Sequence, residues 1–479
     1  MNTKSFVVMA GTVFLCVLCS TGCGGSNQPA VDATTIDVHA DSIGSDLIDD
    51  STPADTRQDT SGTDPGAADH GSEIAPDNGI TDPGNADNGS DDIPLDGEFV
   101  ILAWNNLGMH CYNPSFKRLA VLPPFNTIWA QVYRKAPSPE LITSGITIEY
   151  SYPDNSYSAA GTPAKSDFWE YAEQLFGSPL ATDVGLTGKG LTGTFELKTD
   201  HWEAEGIPVT EFRDRDATVG GSPLTWNRYP YQLATVVVKR TSDGTELARS
   251  RVVTPVSSEL NCQTCHSDSG AATVKYPITP SGTDDTDLNI LRLHDYLAKT
   301  DHESNQPVLC AKCHASNALG TLGNMGVPNL SKAIHSRHRD IKEISEDTTG
   351  CYACHPGPET KCLRDVMTRE GSVAGCVACH GNMAAVATNP TPWINEPRCD
   401  SAQCHGGEVR QDKPLYNMSK GHHGVYCAAC HDSPHAIAPS REANDGIKFM
   451  ELQDGEGPVK DCTLCHGFKP SGEIHEEDD

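Results

Sequence analysis

Positive charge is scarce in this chain. Over 479 residues, 35 Lys and Arg face 65 Asp and Glu, a formal charge of −30. That balance excludes nucleic acid as a partner, because a phosphate backbone is bound by basic surface. Long apolar runs are missing too: the only extended one, Phe6 to Leu18, has 13 residues, short of the roughly 20 that cross a bilayer as a helix. A polytopic membrane protein is therefore excluded. Aromatic residues are few and uneven, with only 8 of 30 lying after Ser258. Apolar residues with Gly still come to about 46%, near the globular norm, so a core exists somewhere. The length suggests two to four domains. What the chain does have is 19 Cys, odd for a reducing cytosol unless they hold metals or cofactors.

The first 22 residues have the form of an export signal: Lys4, the apolar run, then small residues before a cleavage region. That region, Ser20-Thr21-Gly22-Cys23-Gly24, resembles the bacterial lipobox, which implies a lipid anchor on Cys23. Ser20 stands where the pattern usually has Leu, so ordinary signal-peptidase cleavage is the alternative. Cys16 and Cys19 leave with the signal in either case. Residues 23–97 follow as an Asp-rich tether. From Gly24 to Gly97 there are 16 Asp and one Glu against one Arg, punctuated by Asp-Pro-Gly steps. Such a segment cannot bury enough to fold; as a coil it reaches roughly 45–50 Å, and more because its charges repel. Its spacing fits no calcium loop.

Residues 98–258 change character. Phe99–Leu102, Ile128–Tyr133, Ile146–Tyr150 and Ala234–Val238 are short β-branched and aromatic runs, which predict strands. Asp243-Gly244 between two such runs predicts a hairpin. A helix is expected from Asp167 to Phe176, with Asp167 and Glu170 as its cap. The expected fold is a β-sandwich with an aromatic core, since Trp104, Trp129, Trp169, Trp202 and Trp226 all lie here. Its one chemically loaded spot is His110-Cys111. A packed structural histidine and a ligand reaching to the next domain are both open readings of His110.

Residues 259–468 carry the chemistry. Six C-x-x-C-H motifs place Cys pairs at 262/265, 310/313, 351/354, 376/379, 427/430 and 462/465, followed by His266, His314, His355, His380, His431 and His466. A seventh, with two extra residues, runs from Cys399 to Cys404 and His405. The pattern is that of c-type haem attachment: two thiols add to the vinyl groups and the adjoining imidazole meets the iron. Zinc-binding C-x-x-C pairs do not require His after every second Cys. About 30 residues per haem cannot wrap each ring in protein, so seven haem c groups must themselves form the core of a mostly irregular and α-helical domain. An acidic tail, 469–479, ends the chain.

Each iron has a sixth position, and the region holds enough further histidines to fill all seven. His294 shares a helical face with Ile290, Leu291 and Leu297; His335 and His338 lie three apart on an expected helix Leu330 to Ile341; His422 and His435 flank the sixth motif. These five are the foremost distal candidates, followed by His302 and His423, with His475 in the tail the weakest. Met325, Met367, Met383 or Met418 would raise a potential where they ligated, whereas a second His keeps it low.

The motifs, with stretches such as Asn106-Leu107-Gly108-Met109-His110-Cys111 and Cys427-Ala428-Ala429-Cys430-His431, resemble the secreted multihaem c-type cytochromes of metal-respiring bacteria. The resemblance implies an exported electron-transfer protein at the outer membrane or cell surface, handing electrons to a redox partner or an extracellular acceptor. Two other classes stay open: a multihaem reductase of a nitrogen or sulfur oxyanion, and a filament-forming subunit. No C-x-x-C-K occurs, which weighs against the first; the ample supply of His weighs against the second. Cys111 and Cys362 are left over. They are expected to form a disulfide between the domains; the alternatives are that Cys362 is a buried free thiol, or that Cys111 ligates a metal.

Overall fold

β-Branched and aromatic runs between Gly, Pro and Asx breaks favour an extended chain, and that is what the first half adopts. The computed structural model describes residues 98–471 apart from 178, 342–343, 345–347, 358, 369–374, 390, 392 and 394–395. The expected leader, Cys23, the tether and His475 lie outside the described residues. The strands are β1 Phe99–Asn105, β2 His110–Cys111, β3 Leu119–Ala120, β4 Thr127–Arg134, β5 Glu140–Leu141, β6 Ile146–Ser151, β7 Thr192–Thr194, β8 Glu196–Leu197, β9 Trp202–Glu205, β10 Tyr231–Arg240 and β11 Glu246–Ser257. The four runs singled out as strands fall inside β1, β4, β6 and β10.

Two five-stranded sheets result. One has the order β1-β4-β9-β8 with β5 also on β4, and the other β2-β11-β10-β6-β7. Pairing is antiparallel except for β2 on β11. β10 and β11 close through the turn at Asp243 and Gly244, whose positive φ of 73° suits a residue without Cβ. In the second sheet, burial alternates. Ala234, Val236 and Val238 of β10 with Ile146 and Ile148 of β6 face inward, meeting Ile101, Ala103, Ile128 and Val132 of the first sheet in one core.

The first sheet is buried on both faces. Val100, Leu102, Trp104, Trp129 and Tyr133 point away from that core and pack on Tyr426, Ala428 and Ala429 of the sixth cysteine motif. This explains why β1 lacks the polar alternation of a half-exposed strand. The helix forms at Phe168–Phe176, and Phe168, Ala172 and Leu175 enter the core. Its cap differs from expectation. The Asp167 carboxylate makes no cap bond and instead accepts from Ser115 Oγ at 2.7 Å and Phe116 N at 2.9 Å, tying the helix start to a neighbouring loop.

After β11 the chain has short helices and few buried apolar residues. Thr286–Ala298 is the longest, capped by Asp285, whose carboxylate accepts from Leu288 N at 3.0 Å. Leu330–His338 ends three residues before the expected Ile341 and buries none of its side chains. Nine residues are too few for a helix to be stable alone in water; it packs on the helix Met383–Thr388, and its remaining face lines a cavity. Strand Val308–Leu309 pairs in parallel with β3, and Arg118 bridges to Asp285 at 2.9 Å. All described residues belong to one compact unit.

Trp104 is fully buried between sheet and cysteine motif, so Trp104→Ala should cost about 3–5 kcal/mol. Denaturation followed at the Soret band and by tryptophan fluorescence should show both signals falling at the same, lowered midpoint; well-separated midpoints would mean that sheet and motifs unfold independently.

Candidate haem-binding centre

In each motif a single tight turn brings the histidine back over its first cysteine. The amides of His266, His314, His355 and His466 donate to the carbonyls of Cys262, Cys310, Cys351 and Cys462 at 2.9–3.0 Å. The longer motif closes in the same way: His405 N donates to Cys399 O at 3.1 Å, while Cys404 N and Gly406 N both turn in on Ser401 O. The two extra residues are taken up inside the loop. Bonds between the Arg398 guanidinium and Asp400, and from Cys399 N to Gln411 Oε1, brace it. Among the motif cysteines, burial pushes the thiol of Cys262 up to about 11 and those of Cys310 and Cys430 up to about 12.

Histidine rings face one another in pairs. His266 and His338 have ring centres 6.3 Å apart, His314 and His294 6.3 Å, His355 and His335 6.1 Å, His380 and His435 6.1 Å, and His466 and His422 5.9 Å. Imidazole nitrogens lie about 2 Å from a first-row metal, so an iron held between two rings sets their centres roughly 6 Å apart. Each pair joins one motif histidine to one of the five foremost distal candidates. His405 and His431 complete the motif set; His405 is exposed and His431 half-buried.

The other ring nitrogen is also placed for ligation. Nδ1 of His314, His335, His338 and His466 donates to the carbonyls of Pro328, Ser331, Ile334 and Pro137 at 2.7–3.1 Å, leaving Nε2 with its lone pair. Burial draws His266, His355 and His435 down to about 4, which keeps their rings neutral as a metal ligand requires. His110 is arranged otherwise. Its Nε2 donates to Pro123 O at 2.9 Å, its ring lies beside Phe125, and β2 is locked on β11, so the nitrogen an iron would need is already engaged.

Around four of the five pairs, all but His466 and His422, lies one continuous cavity of about 2970 Å³, lined by both cysteines of the first four motifs and by Cys399. A single cofactor pocket occupies roughly 300–1,000 Å³. Paired thiols at the walls and facing imidazoles across the space fit several haems sharing one cavity. Leu224 and Ile334 line it although the protein leaves them exposed; the rest of the helix Leu330–His338 lines it too. Among the described residues the cysteines do not converge as a tetrahedral zinc site needs. The one convergent group, His294, Asp295 and His302, is a loop closure: Asp295 accepts from Thr300 Oγ1 and from the amides of His302 and Glu303. His302 sits 4.8 Å from His294 rather than opposite a motif histidine, and His423 5.7 Å from His422. Met325 is fully exposed. Cys111 and Cys362 are not joined by the expected disulfide; both are thiols.

Sequence reasoning missed the part played by the sheet. His466 is oriented by the Pro137 carbonyl, and Ala136 N donates to Cys465 O at 3.0 Å. Its opposite number, His422, sits at the tip of a hairpin, Lys420–Gly421 with Val425–Tyr426. Asp200 holds that hairpin by pairing with Lys420 and accepting from Tyr426 Oη at 2.9 Å, while Gln131 bonds Gly424 O and Tyr426 N at 3.2 Å. These contacts join residues more than 200 positions apart and leave no local signal. His422 and His435 also have positive φ, 37° and 64°, a backbone state that side chains other than glycine's adopt at a cost and that concentrates at functional sites.

Removing one distal ring should change one centre. His338→Ala and His335→Ala should each convert a single low-spin haem to high-spin, seen by electron paramagnetic resonance, and the double variant should convert two. Asp200→Ala should broaden or shift only the signal lost in His422→Ala.

No protein-family profile matches the chain. A comparison with curated proteins finds similarity to the C-type polyheme cytochrome OmcB in two strains of Geobacter sulfurreducens, 26% identical over 155 residues, or 29% of this chain. The match spans 20% of the length of those relatives. No helix among the described residues is long and apolar enough to cross a membrane. Seven motifs, five facing imidazole pairs and this distant similarity together support reading the chain as a multihaem c-type cytochrome with a role in electron transfer.

Proposed function

We propose that this protein carries electrons along seven covalently attached haem c groups packed as the core of residues 259–468, with the β domain, residues 98–258, as a sandwich against which the array is built. The observation that carries the reading is the set of five imidazole pairs at iron-bridging distance. Haem supplies an iron that cycles between ferric and ferrous states. The protein's share is to hold both axial positions, which keeps small substrates off the metal and favours transfer over turnover. His335 and His338, one turn apart on a single helix, would serve the third and first motifs, and Asn261 beside Cys262 donates to Tyr352 O and Gly357 O at 3.2 and 3.1 Å. Those two centres are therefore neighbours.

The export signal, the lipid anchor on Cys23 and the acidic tether belong to the same proposal: a lipoprotein held at the outer membrane or cell surface. It would exchange electrons with other redox proteins or an extracellular acceptor.

Intact-mass analysis should find seven haems per chain, one of them on the Cys399–Cys404 peptide; six, with that peptide unmodified, would remove the fifth centre from the scheme. The reduced protein should return about seven electrons per chain to ferric citrate and keep a low-spin spectrum throughout. Sustained turnover of nitrite, hydroxylamine or tetrathionate would instead make it a reductase.

A further inference from the structure

We propose that the Cys362 thiol is the hydrogen-bond acceptor for His435, and so sets the reduction potential of the haem held by Cys376 and Cys379 apart from its neighbours. The inference rests on the reading of His380 and His435 as an axial pair. In four of the imidazoles considered above, Nδ1 faces a backbone carbonyl, and in a fifth, His294, the Thr300 hydroxyl at 2.9 Å. His435 differs: its Nδ1 lies 3.7 Å from Cys362 Sγ. With Nε2 turned to iron, Nδ1 keeps its proton and donates it to sulfur.

The donor and acceptor are held rigidly. Arg364 N donates to His435 O at 2.8 Å and Val366 N to Ile437 O at 3.0 Å, so the two segments run as a short ladder. Arg364 Nη1 donates to Cys362 O, and its guanidinium is clamped by Asp445, both side chains at most 2% exposed. Cys362 N is fixed on Pro356 O at 3.0 Å. The backbone that carries the sulfur is thereby fixed on both sides.

Chemistry then gives the direction. A histidine that donates to a strong acceptor becomes a more basic ligand and stabilises ferric iron. Thiol sulfur is a weak acceptor beside a carbonyl oxygen. The His435 imidazole is accordingly less electron-rich than its carbonyl-bonded counterparts, and its iron easier to reduce.

Redox titration of the seven-haem protein tests this. In Cys362→Ala and Cys362→Val, which remove the acceptor, one of seven haems should shift to higher potential while six stay in place. Cys362→Ser, with an oxygen acceptor, should move the same haem lower. Titration curves of Cys362→Ala and Cys362→Val that overlay the parent, with all haems retained, overturn the proposal. Where those variants do not fold, Cys362→Ser decides alone, and an unmoved curve refutes. His435→Ala separates the axial pairing from the role of the thiol. It should turn one haem high-spin, and in that background Cys362→Ala should add no shift. If every haem stays low-spin, the axial reading falls and the thiol's role with it; if one turns high-spin but no Cys362 variant moves a potential, only the thiol's role falls.

Discussion

Two imidazoles must be held about 6 Å apart across space that no side chain fills, and much of the molecule follows from that requirement. A protein that met it with ordinary packing would need apolar bulk on every side. Here most of the aromatic residues lie in the first half, and the second half lines most of a cavity. The rings on its walls are therefore positioned by backbone: tight turns for the motif histidines, helices for His294, His335 and His338, and a left-handed loop residue for His435; His422, away from the cavity, is held in the same way. In His314, His335, His338 and His466 a carbonyl aimed at Nδ1 then fixes the tautomer.

The sheet supplies rigidity that the cysteine-rich half lacks. Antiparallel pairing with apolar residues on both faces gives a wall that cannot flex without exposing Trp104 or Ile101. Against it, the hairpin bearing His422 and the loop bearing His466 are held by Asp200, Gln131 and Pro137. The two halves differ in composition because one makes its own core and the other borrows a wall from it.

What could be read in advance was whatever has a short period or a fixed spacing. Strand runs such as Ile128–Tyr133 declare themselves by side-chain type, and the C-x-x-C-H turns by their own chemistry. His294, His335 and His338 stood out because helical periodicity aims them, and the structure brings them opposite His314, His355 and His266. Contacts set by distant packing were illegible. Nothing near Asp200 in the chain points to Lys420, and nothing near Asp167 announces that its carboxylate serves Ser115 and Phe116 rather than its own helix. The second burial face of β1 was visible only as missing alternation, which no partner yet explained.

The helix Leu330–His338 leaves no side chain fully buried; it packs on the helix Met383–Thr388 and turns its other face to the cavity. The order of that helix is therefore coupled to the filling of the cavity. The cysteines, whose thiols burial renders less reactive, are best modified while the chain there is still open. The strands that need no cofactor come earlier in the chain and so leave the ribosome first. By the time the last motif appears, the carbonyl of Pro137 and the carboxylate of Asp200 can already stand in place, and the gene's order of parts becomes an order of manufacture, template before cargo.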